Sequence, residues 1–202
     1  MKDGPIDIST IKIGFPNAGK YSENDPLFIE ELRLLVEELS TPGRIREACV
    51  HETGHLIFFR SLGKFLKIPP NKFCFVCPYV AYELNRHNQH EFHHAVAATS
   101  VPFDEDNLDY TDELLKMLAN ACFAGGVFAH ELIKGSLRGD AGDFIKFHNY
   151  YNSAIIDMGQ PELLESQLIE RAIERVTLKL QNTAFRKQAL TKADELETYY
   201  FS

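Results

Sequence analysis

The residues best placed to do chemistry are His51-Glu52-Thr53-Gly54-His55, an HExxH pattern. On a helix, residues four apart share one face, so both imidazoles can turn toward a single metal ion. Glu52 lies about 100° round the helix from His51, so its carboxylate can reach a water held by that ion without itself binding the ion. Zinc lowers the pKa of such a water to near 7, and the carboxylate takes the proton as the water attacks a carbonyl carbon. Val50, Leu56, Ile57, Phe58 and Phe59 surround the pattern. They predict a buried helix, and burying two imidazoles and a carboxylate is costly unless they have partners. The competing reading is a pair of hydrogen-bonded core histidines. Gly54 leaves room for a substrate or another backbone to approach closely. A catalytic zinc takes a third protein ligand and keeps one position open. By residue type alone, Asp140, Asp143, Glu131, His130 and His148 all qualify as that ligand.

Other patterns carry weaker chemistry. His90-Glu91-Phe92-His93-His94 repeats HExxH, but ELNRHNQ precedes it and further histidines crowd it. A polar, histidine-rich stretch of this kind is expected to be a solvated loop. Gly14 to Lys20 has phosphate-loop spacing. Tyr21 stands where a magnesium-binding hydroxyl is required, and SENDP does not open a helix, so a Gly-rich turn is expected instead. Cys74 and Cys77 lie three apart in an expected strand and so face opposite sides. They read, with Cys49 and Cys122, as buried free thiols.

Several elements must position these groups. Residues 1–25 read as an irregular arm with one short strand near Ile11 to Ile13. PLFIEELRLLVEELS, 26–40, has the apolar spacing of an amphipathic helix. Thr41-Pro42-Gly43 breaks it, and the helix bearing HETGH is expected from there to about Ser61, ended by Leu62-Gly63. Residues 71–83 read as one or two core strands interrupted by Pro78. A polar loop or insertion follows over 84–108. Helices are expected over 109–136, from Asp140 or Asp143 to about Met158, and as a helix or helical pair over 161–199. The fold class is mainly α with a small β-sheet, divided as an arm and helix (1–40) and a metallopeptidase-like domain (41–202).

Composition narrows the function. The 202 residues carry a formal net charge of −8, which argues against a nucleic-acid partner because phosphate binding relies on clustered Lys and Arg. No segment reaches the roughly 18 apolar residues of a membrane span. The first residues do not read as a secretory signal. Four cysteines form no disulfide framework. A cytoplasmic chain is the expectation.

Four segments together resemble the peptidase domain of the FtsH-type ATP-dependent zinc metalloproteases. REACVHETGHLI is similar to that family's zinc helix, FAGGVFAHELIKG to its LLGGRAAEEI segment, and SLRGDAGDFIKF to its GASNDI segment. LIERAIERVTLKLQNTAFRKQALTKADEL is similar to its closing helices. They occur in the family's order over residues 44–199. The resemblance implies a zinc ion held by His51, His55 and Asp143, Glu52 as general base, and Glu131 supporting a zinc-bound histidine. Val127 and His130 stand where the family has Arg and Glu, and the excess length lies near 85–105. The family's ATPase module and membrane spans have no counterpart in these residues. The resemblance therefore implies hydrolysis of peptides or unfolded chains, alone or with a separate ATPase, and allows a homo-oligomer. The alternative is a non-catalytic, zinc-stabilised regulatory or adaptor domain.

Overall fold

A computed structural model of the chain describes residues 12–14, 24–76, 78–84, 90–103, 105–133 and 140–201. The fold is mainly helical with a small β region, and the chain divides into two compact units.

The first unit comprises the described residues up to Ile45 together with Val76–Ala98. Helix α1 (Pro26–Ser40) starts where the Asp25 carboxylate accepts from the Leu27 amide at 2.9 Å, with Pro26 in the first turn. Its buried face is Phe28, Leu35 and Leu39. Strand β1 (Lys12–Gly14) pairs in parallel with β3 (Tyr79–Leu84), which pairs antiparallel with β4 (His90–Ala95). Phe28 of α1 packs against Phe92 of β4 with ring centroids 5.6 Å apart.

The strand at 90–95 corrects the expected loop. Paired with β3 it alternates faces, and Phe92 fills the inner one beneath α1. The second HExxH thus lies on extended backbone, where residues four apart are about 13 Å distant and cannot grip one ion. Two of its histidines have structural partners: His94 Nδ1 meets Glu31 Oε2 at 2.5 Å, and His93 packs edge-on to Tyr79.

The second unit comprises Arg46–Phe75 and Thr99–Ser202. Helix α2 (Arg44–Phe65) is buried on most sides through its centre, from Cys49 to Leu62. It begins after Gly43, whose φ of +79° a residue with a side chain rarely adopts. It ends a turn later than Gly63 suggested. The reversal is made instead by Lys67 at φ +57°, with the Ile68 amide donating back to the Gly63 carbonyl at 2.7 Å. Gly63 serves packing: a side chain there would collide with the ring of Phe73.

Two short strands, β2 (Cys74–Val76) and β5 (Ala98–Ser100), pair with each other. Strand alternation turns Phe75 inward and leaves Cys74 exposed, which corrects the expectation of a buried thiol there; Cys49 and Cys122 are buried. Cys77, like residues 15–20 of the phosphate-loop pattern, lies outside the described residues.

Helix α3 (Asp112–Leu132) is capped by Thr111, whose hydroxyl accepts from the Leu114 amide at 3.1 Å. Nearly its whole length from Leu114 to Ala129 is buried. Helix α4 (Asp140–Met158) is held to α3 through Phe123, which packs edge-on against Phe144 and Phe147 at centroid distances of 4.8 and 5.6 Å. Helix α5 (Glu165–Gln181) buries Leu168, Ala172, Val176 and Leu180, one residue per turn, against α3. Helix α6 (Thr183–Phe201) is tied to α2 where Arg46 pairs with Asp194 at 2.6 Å and Glu197 at 3.2 Å. None of the described helices is long and apolar enough to cross a membrane.

Candidate metal centre

Three elements of the second unit build the site. Helix α2 presents His51 and His55 one turn apart, with their Nε2 atoms 2.9 Å from each other. The first turn of α4 delivers Asp143, whose Oδ1 lies 3.1 Å from His55 Nε2 and whose Oδ2 lies 3.5 Å from His51 Nε2. One ligand atom from each of the three falls within 4.8 Å of the others. Among the described residues, these three form the one group of histidine, cysteine or carboxylate side chains suited to hold a metal ion.

Helix α3 closes the site from the side. The Ala121 carbonyl lies 2.8 Å from His55 Nδ1. A carbonyl can only accept, so Nδ1 carries the hydrogen, and Nε2 is the nitrogen turned toward Asp143 and His51. Gly125 stands opposite. A Cβ there would lie 2.6 Å from His51 Nε2 and closer still to His55 Nε2. The missing side chain is therefore what leaves space among the three ligand atoms. Gly54 has a different role: a Cβ on it would meet the backbone of α3 at the Ala124 carbonyl, 2.5 Å away. The close neighbour its sequence position implied is a backbone, and this contact lets α2 and α3 pack closely enough for Gly125 to face the histidines.

The electrostatics fit a cation. Burial works against charge on His55, but the Asp143 carboxylate outweighs it and pushes the imidazole up to about 9. Burial alone would raise Asp143, yet the imidazoles of His55 and His51 beside it hold it below the ordinary carboxylate range. The Oδ2 atom of Asp143 is buried and has no hydrogen-bond partner. A buried carboxylate oxygen without a donor is costly, and a cation among these ligands would satisfy it. Two imidazole nitrogens and a carboxylate oxygen are also the donor types of a catalytic zinc site.

Glu52 sits beside the ligands without joining them, its Oε1 3.9 Å from His51 Nε2. The side chains of His51, Glu52 and Asp143 retain 12%, 12% and 14% exposure against 7% for His55, so solvent reaches the site along their side. The backbone carbonyl of Glu52 accepts from Thr99 Oγ1 at 3.2 Å, which fastens β5 to this turn of α2.

Of the sequence-predicted residues, the structure brings together His51, Glu52, His55 and Asp143. Asp143 lies inside the first turn of α4 and is not its cap, since the helix begins at Asp140. The backbone of Ala121, rather than Glu131, supports His55. Glu131 lies ten residues further along α3, about 15 Å away at the rise of an α-helix; its own carbonyl accepts from Arg186. His148 pairs with Glu165 at 3.1 Å, and His130 is exposed in the last turn of α3. Gly125 and Ala121 were not singled out as site residues. Gly125-Gly126 within an apolar helix was the available signal, because glycine in a helix interior costs about 1 kcal/mol and implies a close approach.

No protein-family model, curated protein or solved structure matches this chain.

Proposed function

We propose that this chain is a zinc-dependent peptidase related to the peptidase domain of the FtsH-type metalloproteases, hydrolysing peptide bonds with Glu52 as general base. The observation that carries the reading is the convergence of His51 and His55 from α2 with Asp143 from α4, beside a carboxylate that stays free of the ligand set.

A zinc ion held by His51, His55 and Asp143 would supply Lewis acidity toward the scissile carbonyl. The chain's own groups do the rest. The Ala121 carbonyl orients His55 through Nδ1, and Gly125 keeps the space among the ligands open. Glu52, partly exposed, takes the proton of the attacking water and returns it to the departing amine. The hydrogen bond from Thr99 holds the Glu52 backbone, and with it the distance between base and ligands. The substrates this suits are peptides or unfolded chains, reached alone or through a separate ATPase.

The test is a metal analysis of the purified chain combined with cleavage of an unfolded protein. One zinc per chain is expected, with cleavage lost at least a hundredfold in Glu52→Gln while the ion is retained. A Glu52→Gln variant as fast as the parent removes Glu52 from the mechanism. A zinc-loaded parent that cleaves nothing favours a regulatory or adaptor domain.

A further inference from the structure

A cavity of about 190 Å³ lies between α3 and α5, lined by Lys116, Asn120, Arg171, Arg175 and Glu113 over Leu168 and Ala172. Its character runs against that of the chain, which carries a net charge of −8. Three cations and one carboxylate give the lining a net charge of +2.

Arg171 and Arg175 are one helical turn apart on the same face of α5. Like charges at this spacing destabilise a helix unless something compensates them. Among the described residues neither has an ion-pair or hydrogen-bond partner, although Glu170 and Glu174 belong to the same helix. Among the described residues Lys116 is held only by Glu162 at 3.1 Å, a surface pair with Glu162 64% exposed, and such a pair is weak.

Asn120 is the second observation, independent of the charges. It is 8% exposed, yet among the described residues its amide has no hydrogen-bond partner. Its polar atoms stay open to the solvent of the cavity. Here it lines the cavity, one turn along α3 from Lys116, so its NH2 group can donate to whatever the cations hold. The buried Leu168 and Ala172 form an apolar floor, which strengthens charge interactions above it.

We propose that this cavity binds a small, doubly charged oxyanion of the phosphate class, held by the Arg171 and Arg175 guanidinium groups and Lys116, with Asn120 donating from the floor. Arginine forks match phosphate oxygens two at a time. The net charge of the lining matches a dianion, whereas a carboxylate would leave one positive charge unanswered.

The full chain is titrated calorimetrically with inorganic phosphate and with glycerol phosphate, against acetate and chloride at equal ionic strength. Saturable binding of one phosphate or phosphomonoester per chain is expected. Arg171→Gln and Arg175→Gln, both at exposed positions, should each weaken it roughly tenfold, the loss expected for a charge-assisted hydrogen bond. Asn120→Asp, nearly equal in volume and carrying a like charge, should abolish it while the circular dichroism spectrum is retained. If Asn120→Asp fails to fold, the two arginine variants decide. Tighter binding of glycerol phosphate would show that the group arrives on a small organic molecule. Equal responses to acetate and phosphate, or arginine variants that bind phosphate as the parent does, would overturn the proposal.

Discussion

His55 donates from Nδ1 to the backbone carbonyl of Ala121 at 2.8 Å, so a helix that supplies no ligand decides which face of the imidazole meets the metal site. The same helix contributes Gly125 one turn further on, where any side chain would enter the space between the two histidines. Helix α3 is thus as much a part of the site as α2 and α4.

The first consequence concerns Gly125→Ala. Its methyl group would lie 2.6 Å from His51 Nε2, where a bound ion must sit. Metal affinity is expected to fall at least a hundredfold, at the upper end of what a supporting residue usually costs. Chelator competition measures it, and an unchanged affinity would place the ion elsewhere.

Gly54→Ala should act on stability instead. Its Cβ would meet backbone, at the Ala124 carbonyl 2.5 Å away, so the helices must separate. Overpacking of this kind costs about 1–3 kcal/mol. Denaturant unfolding should show that loss in Gly54→Ala; a variant as stable as the parent would mean that α2 and α3 do not cross so closely.

Metal removal tests the alternative to catalysis. The core of the second unit rests on Leu114, Leu118, Phe128, Phe147, Tyr150 and other apolar side chains that do not touch the ligands' role. Chelation should therefore lower the melting temperature without abolishing cooperative unfolding, since an ion that binds the folded state stabilises only by its binding free energy. Loss of the folded state on chelation would mark the ion as structural.

The pH dependence of the metal-free chain follows from His55 and Asp143. The folded-state pKa of His55 stands above its ordinary 6.5, at about 9. Its contribution to stability is fully present below 6.5 and is lost as pH rises through about 9. Asp143 is lowered from 3.8, so its contribution holds above that value and is lost as pH falls through the lowered one. Unfolding measured across the alkaline window should show a decline that Asp143→Asn abolishes. A parent equally stable on both sides of the window would show that the two groups are not coupled.

Thiol chemistry separates the cysteines. Burial pushes the Cys49 and Cys122 thiols up to about 12, where almost no thiolate exists at neutral pH. Cys74 is exposed. Native labelling with iodoacetamide, read by peptide mass spectrometry, should modify Cys74 and spare Cys49 and Cys122. Labelling of Cys49 or Cys122 without denaturant would show that those helices open.

Much of this was legible in the chain itself. Apolar spacing marks each helix, because the 3.6-residue period must show wherever one face is buried, and HETGH identifies its own chemistry because two histidines four apart share a face on any helix. The strand at 90–95 was not legible. A polar, histidine-rich segment has no local reason to extend, and only pairing with β3 and packing of Phe92 under α1 make it do so. Nor could residue types choose among the available third ligands. Asp143 meets His51 and His55 across nearly ninety residues of chain because Phe123 docks the first turn of α4 onto α3. The support that the Ala121 carbonyl gives His55 is not legible for a related reason: a backbone carbonyl exists at every residue and leaves no signature in a sequence. Local periodicity is written into side-chain order, whereas the meeting of distant groups is set by how helices cross, and here Gly54 permits the close crossing while Gly125 keeps the space between the histidines clear.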